Sequence, residues 1–289
     1  MASAKEIRGQ IKATQNTSKI TKAMEMVAAS KMRKAQEAVT ASRAYAMGIH
    51  SVIANLMQSH PEYKHTFLVK RDEIKRVAYI IVSSDKGLCG GLNTNVLKHA
   101  VISMKEVKES SIETEVLNIG RRAGLFMRRI TTIAASVEDV SDQPEISEIL
   151  GVVNLAVDKF IKGDYDEVRL VYNEFVNTMT QTPTEICLLP CPEPDQSEGI
   201  QRAGYWDYLY EPESKSVLDG LMHRYVETIV YQAVLENKAC EQSARMVAMK
   251  SATDNAKDII SELQITYNKA RQAAITQELA EICAGAAAA

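Results

Sequence analysis

The residues that could carry chemistry are concentrated in one glycine-rich loop. The apolar run Arg76–Ser84 is typical of a buried strand, and Asp85–Asn93 (DKGLCGGLN) follows it before a helical stretch from Asn95 to about Lys108. A strand, a glycine-rich turn and a helix are the arrangement that cradles phosphate groups. The loop matches neither GxGxxG nor GxxxxGKS/T, and the next strand ends in Asn118 where a ribose-binding acid would stand. Nucleotide binding therefore has only weak support.

Other catalytic or metal-binding sets are not visible in the sequence. Cys89 beside Lys86 is a candidate thiolate nucleophile, but it has no neighbouring histidine. The five cysteines lack CxxC spacing, which favours free thiols in a reducing compartment, and the five histidines form no ligand cluster. The cysteines are Cys89, Cys187, Cys191, Cys240 and Cys283, and the histidines are His50, His60, His65, His99 and His223. We expect no catalytic residue, no metal and no cofactor.

The loop belongs to a central region in which strand and helix patterns alternate. Such alternation predicts an α/β domain with a largely parallel sheet. After the first strand and helix, the predicted strands are 114–119, 130–135, 166–175 and 184–189, and the predicted helices are 121–129 and 145–161.

Both ends of the chain are predicted to be long helices. All seven prolines lie between Pro61 and Pro212, and strong helix formers dominate the flanking segments. Two apolar seams repeat with alternating steps of four and three residues, which is the heptad pattern of a coiled coil. The first seam is Ala35, Val39, Ser42, Ala46, Ile49, Ile53 and Leu56, and the second is Ala256, Ile260, Leu263, Tyr267, Ala270 and Ala274.

The two helices are expected to pair with each other in antiparallel orientation. The second helix can begin near Ser214, and from Val217 to Leu235 its apolar residues cover almost the whole circumference, which predicts packing against the central domain as well. Beyond Asn237 the apolar pattern narrows, which predicts a bare two-stranded coil. The expected division is a helix over residues 1–60, an α/β domain over 61–212 and a helix over 213–289.

Charge is distributed unevenly along the chain. The net charge is −3, but residues 1–60 carry nine Lys and Arg against three acids. This basic segment is either a solvated helix face or a surface for an acidic protein or for nucleic acid. Nucleic-acid binding calls for interleaved aromatic residues, and Tyr45 is the only one in the segment. No signal peptide or membrane span is predicted, because the longest apolar run, Val77–Val82, has six residues and spanning needs about 20.

Several motifs resemble those of the gamma subunits of F-type ATP synthases, bacterial type. The resemblance covers the whole chain and is strongest in the two terminal helices. The motifs are Ala4–Arg8 (AKEIR), Ile20–Arg33 (ITKAMEMVAASKMR), Asp85–Asn93, Ala244–Asn255 (ARMVAMKSATDN) and Leu263–Leu279 (LQITYNKARQAAITQEL).

The resemblance implies an antiparallel coiled coil of the terminal helices with a Rossmann-like α/β domain. It also implies a role: a central rotor, present in one copy, that couples proton flow to ATP synthesis or hydrolysis without an active site of its own. The implied partners are the alpha and beta subunits, an epsilon subunit and the ring of c subunits, with no nucleic acid. The implied location is the cytoplasmic face of the bacterial inner membrane, with membrane contact only through partners.

The resemblance also implies roles for individual residues. Contacts with the beta subunit would involve Arg271, Gln272, Met24, Lys31, Arg33 and Cys89. Further basic residues that would face acids of beta are Lys5, Arg8, Lys12 and Lys34. The foot that meets the c ring would include Tyr208, Tyr210 and Glu211, and the tip held in the apolar bearing would include Ile275, Leu279 and Ile282.

Two other functions compete with the rotor. One is a nucleotide-dependent enzyme with a helical arm, which the glycine-rich loop favours. The other is a coiled-coil scaffold or nucleic-acid-binding arm, which the basic N-terminal segment favours.

Overall fold

The computed structural model describes residues 4–59, 65–71, 73–192 and 214–287. The chain forms two compact units: a coil unit, Met1–Ala29 with Arg245–Ala289, and a domain unit, Ser30–Ala244. The division between the units falls inside the two long helices instead of at their ends. The three-segment division at residues 60 and 212 therefore stays a prediction.

In sequence order, the α/β elements lie between two very long helices. The first, α1, is Ala4–Ser59, and the last, α5, is Ser214–Ala287. Between them lie β1 (Arg76–Val82), α2 (Leu92–Glu109), β2 (Glu113–Ile119), α3 (Arg121–Met127), β3 (Ile133–Val137), α4 (Ile146–Lys162), β4 (Glu167–Phe175) and β5 (Gln181–Leu189), with one 3₁₀ turn at Thr66–Leu68.

The five strands form one sheet in the order β3-β2-β1-β4-β5. The pairs β1·β2, β1·β4 and β2·β3 are parallel, and β4·β5 is antiparallel. The prediction of a largely parallel sheet is confirmed. Successive strands β1, β2 and β3 are added towards one edge of the sheet, and β4 is then added on the other side of β1. In parallel α/β sheets, a ligand crevice forms at such a reversal, beyond the carboxyl ends of the strands.

Two predicted strands have different limits in the structure. The third strand, expected at 130–135, begins at Ile133, because the amides of Ile130 and Thr131 donate to the carbonyl of Met127 and continue the turn after α3. The last strand, expected at 184–189, begins at Gln181, because Gln181 pairs with Phe175 in the hairpin. Pro183 is accommodated there because β5 is an edge strand.

Helices cover both faces of the sheet. One core joins Val77, Tyr79 and Ile81 of β1 to α2 and α3. The other joins the alternate residues Ala78 and Ile80 of β1 to α4 and to the first part of α5. All six residues from Val77 to Val82 are buried, which agrees with a strand covered on both faces.

In the domain unit, α1 packs along α5 in antiparallel orientation. Ala35 and Val39 share an apolar cluster with Leu235 and Ala239. Further along α1, Ile49 joins the cluster that contains Met222 and Val226, which lie earlier in α5. The described residues of the first predicted seam, Ala35 to Ile49, are all buried or half-buried.

In the coil unit, the hydroxyls of Thr21 and Thr253 lie 2.7 Å apart in a buried hydrogen bond. Ala270, seventeen residues after Thr253, is the last residue of α5 that is not exposed. On α1, the half-buried Ala4 lies seventeen residues before Thr21. This match is the one expected of an antiparallel pair. The second predicted seam is confirmed from Ala256 to Ala270, whereas Ala274 is exposed. The predicted fold class, an α/β domain with a long antiparallel coiled coil, is confirmed.

Candidate partner-binding surfaces

The segment of α5 from residue 233 to residue 243, called here the docking segment, is buried at every position. It includes six polar or charged residues, each at most 6% exposed: Glu236, Asn237, Lys238, Glu241, Gln242 and Ser243. The coil predicted to begin beyond Asn237 therefore begins later: residues 238–243 are buried, and the coil unit starts at Arg245. Polar residues are buried here because other polar groups of the domain unit meet them.

Lys238 is the charged centre of the docking segment. Its ammonium donates to the carbonyl of Val140 at 2.8 Å, and it lies 3.7 Å from Asp85 Oδ2 and 3.9 Å from Glu241 Oε2. The side chains of all three charged residues are at most 8% exposed. Asp85 Oδ1 in turn accepts from the backbone amides of Arg121 and Asp139. One buried cation thus joins α5 to the loops that follow β1, β2 and β3.

Further polar contacts of the docking segment reach α1, β4 and the turn after β4. Glu236 accepts from Arg43 of α1 at 3.0 Å and from the backbone amide of Phe175 at 3.4 Å. The buried amides of Asn173 and Asn237 are hydrogen-bonded at 2.9 Å. Two further hydrogen bonds are donated to carbonyls, from Cys240 to Asn173 and from Ser243 to Thr178.

These contacts place the docking segment across the carboxyl ends of β1 and β4. That is the crevice in which doubly wound α/β domains usually bind their ligands. Here the chain's own helix occupies it, with Cys240 packed against Cys89 and Leu92. One side of the glycine-rich loop therefore packs against a helix of the chain itself.

The structure places Cys89 inside the glycine-rich loop. Its side chain is 2% exposed, and its sulfur accepts from Asn93 Nδ2 at 3.2 Å. The neighbouring Leu88 is 61% exposed, with φ of 65°. A partner that meets this loop would therefore touch Leu88 and not the thiol.

The predicted contacts on α1 lie in both units. In the coil unit, Met24 is half-buried, and Lys5, Arg8 and Lys12 are exposed. In the domain unit, Lys31 donates to Asp142 at 2.6 Å and holds the pKa of that carboxyl below its usual range. Arg33 lies on the surface with Glu37 3.5 Å away, and Lys34 is exposed.

The end of α5 is the other predicted contact region. Every side chain from Arg271 to residue 286 is exposed, including Gln272 and the apolar Ile275, Leu279 and Ile282. The last three are spaced four and three residues apart, so they lie on one face of the helix. The predicted foot residues Tyr208, Tyr210 and Glu211 lie outside the described residues.

No group of three or more His, Cys, Asp and Glu side chains suited to a metal ion occurs in the described ranges. All five cysteines are free. Burial raises the pKa of the Cys191 thiol to about 12, so this thiol stays protonated at neutral pH. Among the described helices, none combines the length and apolarity that crossing a membrane requires.

Comparison with known proteins decides the family. A family model described as ATP synthase matches residues 3–289. The ATP synthase gamma chain of Acidithiobacillus ferrooxidans is 53% identical over 289 residues, covering 100% of both chains. The chain belongs to the ATP synthase gamma-chain family. The function of this gamma-family chain is that of the central-stalk rotor subunit of an ATP synthase.

Solved structures show the same fold. A chain from the OSCP/F1/c-ring of the Euglena gracilis mitochondrial ATP synthase, in rotational state 3, has a TM-score of 0.66 at 18% identity, with 99% of this chain and 94% of that one covered. A chain from the central stalk and c-ring of the Tetrahymena thermophila enzyme has a TM-score of 0.62 at 24% identity, with 81% and 99% covered.

Sequence reasoning missed the buried charges that join the gamma-family helix to its domain. Lys238 and Glu241 stand one turn apart, and Asp85 lies more than 150 positions earlier, so no local spacing connects all three. One signal was available in the sequence. From Ala233 to Ala239 the polar residues are flanked on both sides by apolar and small residues, a pattern that a solvent-exposed coil does not require.

We predict that Lys238→Met lowers the free energy of unfolding of the purified chain by about 3–5 kcal/mol, because Asp85 would remain buried without this cation. Urea titration followed by circular dichroism measures the change. Lys105→Met is the matched control: Lys105 is 77% exposed beside Glu109, and removing such a surface pair changes stability by at most about 0.5 kcal/mol.

A second variant separates charge from packing. Adding Asp85→Asn to Lys238→Met removes the carboxylate that has lost its cation, so part of the lost stability should return. Equal stability of Lys238→Met and Lys105→Met would show that the buried cation does not hold the docking segment in place.

Proposed function

We propose that this chain transmits torque between a membrane-bound ring of c subunits and a catalytic ring of alpha and beta subunits. Membership of the ATP synthase gamma-chain family supports this proposal. The observation that carries it in the structure is the docking segment: eleven consecutive buried residues make α5 a part of the core of the domain unit. A helix held in this way turns whenever its domain turns.

The coiled coil acts by differential contact. A two-stranded coil has no threefold symmetry, so three catalytic subunits around it meet three different faces. Each face of the coil stabilises one conformation of the catalytic subunit that it contacts. When the coil turns, each subunit meets a different face, and a different conformation is stabilised. The nucleotide affinity of each catalytic site then follows the angle of the coil.

The predicted contact residues suit such a surface. Arg271 and Gln272 are exposed and can donate to an acidic loop of beta. Met24 offers a flexible apolar surface over which a loop can slide, since a charge there would bind tightly. Lys31 is a weaker candidate, because Asp142 already accepts its hydrogen bond. Ile275, Leu279 and Ile282 would sit in an apolar bearing.

The chain itself is proposed to be non-catalytic and to lie peripherally on the cytoplasmic face of a bacterial inner membrane. The packing of Cys240 against Cys89 and Leu92 supports the first part, because α5 fills part of the position that ligands usually take in this fold. Identity of 53% to a gamma chain of Acidithiobacillus ferrooxidans supports the second. An epsilon subunit is the remaining proposed partner.

Reconstitution tests the function. The purified chain alone should hydrolyse no ATP. Mixed with alpha and beta subunits, it should form an ATPase with one copy of the chain for every three catalytic subunits, measured by native mass spectrometry. Any other stoichiometry, or ATP turnover by the chain alone, would contradict the proposal.

We predict that Arg271→Glu combined with Gln272→Ala lowers the number of protons pumped per ATP hydrolysed, because an acidic loop would lose two hydrogen-bond donors and meet a like charge. Proton pumping in vesicles and ATP hydrolysis are measured on the same preparation. Lys105→Glu, an exposed reversal on α2, is the control and should leave the ratio unchanged. Equal effects of the two changes would remove Arg271 and Gln272 from the contact surface.

A further inference from the structure

His65 is a buried histidine outside the docking segment and outside the predicted contact residues. It is 6% exposed and stands directly before the 3₁₀ turn Thr66–Leu68, called here the Phe67 turn. Its Nδ1 accepts a hydrogen bond from the backbone amide of Phe67 at 3.1 Å, and its Nε2 lies 3.2 Å from Asp219 Oδ1. Because Nδ1 accepts, we assign a neutral ring whose proton is on Nε2 and is donated to Asp219.

The Phe67 turn connects three parts of the domain unit. The side chain of Phe67 is 0% exposed, and its ring packs edge-on against Phe160 of α4 and His223 of α5, with centroids 6.2 Å and 5.0 Å away. The carbonyl of Phe67 accepts from the amide of Cys191, which follows β5, at 2.6 Å. The amide that His65 holds therefore belongs to the residue that links α4, the first turns of α5 and the chain after β5.

The surroundings of His65 favour its neutral form. Burial is the main cause that lowers the pKa of His65 below its ordinary value, His223 lowers it further, and the carboxylate of Asp219 acts in the opposite direction. Further titratable groups at the Phe67 turn are the buried thiol of Cys191 and the Arg71–Asp166 ion pair beside Phe160.

We infer that His65 is an acid-sensitive latch on the Phe67 turn. The unprotonated Nδ1 holds the amide of Phe67 and thereby keeps the turn in place between α5 and Cys191. A proton can bind only at Nδ1, because Nε2 already carries one, and a protonated nitrogen cannot accept from an amide. Acid therefore removes the cap of the turn and loosens the connection between the first turns of α5 and the chain after β5.

The direction of the pH dependence follows from the lowered pKa. With the turn closed, the pKa of His65 lies below the ordinary value of about 6.5, so opening the turn takes up a proton between these two values. The latch is fully closed above about pH 6.5 and weakens as the pH falls towards the pKa of the closed form. Within that window the equilibrium constant for opening rises by up to about tenfold per pH unit.

Native-state hydrogen exchange of the purified chain tests the latch. After correction for the intrinsic pH dependence of exchange, the protection factors of the Phe67 and Cys191 amides should fall by up to about tenfold per pH unit below about pH 6.5. His65→Asn removes the titration but keeps a side-chain oxygen that can accept from the amide of Phe67, so this dependence should disappear. His99→Asn is the matched control: His99 has a 42% exposed side chain on α2, and replacing it should leave the dependence unchanged.

Nitrogen NMR of the histidine-labelled, unmodified chain measures the latch without any substitution. At about pH 7.5 the ring of His65 should be protonated on Nε2 alone, and it should titrate below the ordinary histidine value. A proton on Nδ1 at that pH, or a pKa at or above the ordinary value, would overturn the proposal. So would equal protection factors at about pH 5.5 and about pH 7.5, or the same pH dependence in His65→Asn as in the unmodified chain.

The effect of the latch on coupling rests on the proposed function and is measured in the assembled enzyme. At about pH 5.5 the His65→Asn enzyme should pump more protons per ATP hydrolysed than the unmodified enzyme, whereas at about pH 7.5 the two ratios should agree. Equal ratios at both pH values would refute the effect on coupling alone. Failure of the unmodified chain to assemble with alpha and beta subunits would refute the rotor proposal itself.

Discussion

The structure depends on the burial of one cation, Lys238, between Asp85 and Glu241. An unpaired buried charge is so unfavourable that the helix carrying Lys238 and the loops that reach it must stay together or separate as a whole. Asp85 extends this constraint to the ends of β2 and β3 through the amides of Arg121 and Asp139. The position of α5 on the sheet is therefore specified by polar groups, which unlike apolar contacts tolerate little sliding or rotation.

This constraint explains how a doubly wound domain can serve a mechanical role. In such a fold the crevice at the reversal of strand order is the natural place for a ligand. In this gamma-family chain the crevice holds the chain's own helix, whose other end continues into the coil unit. The glycine-rich loop thus has the strand-turn-helix arrangement of a phosphate-binding loop, but it packs against a helix. The motif therefore does not by itself indicate nucleotide binding.

Much of the fold follows from local periodicity in the sequence. The seams from Ala35 to Ile49 and from Ala256 to Ala270 were predictable because helix pairing repeats every seven residues. The run at Val77–Val82 was predictable because both of its faces are covered. The docking segment was not, because its polar residues are buried only through partners distant in sequence. The burial of Cys89 likewise depends on tertiary contacts that no spacing encodes.

Native-state hydrogen exchange of the purified chain tests the central claim, that the docking segment is part of the domain core, most directly. If it is, the amides of residues 236–243 exchange only with global unfolding of the domain unit, with the same opening free energy as those of β1 and β4. Exchange of those helix amides through a lower-energy opening, while β1 and β4 remain protected, would show that α5 can leave the crevice independently. The account of a helix fixed to its domain would then be contradicted.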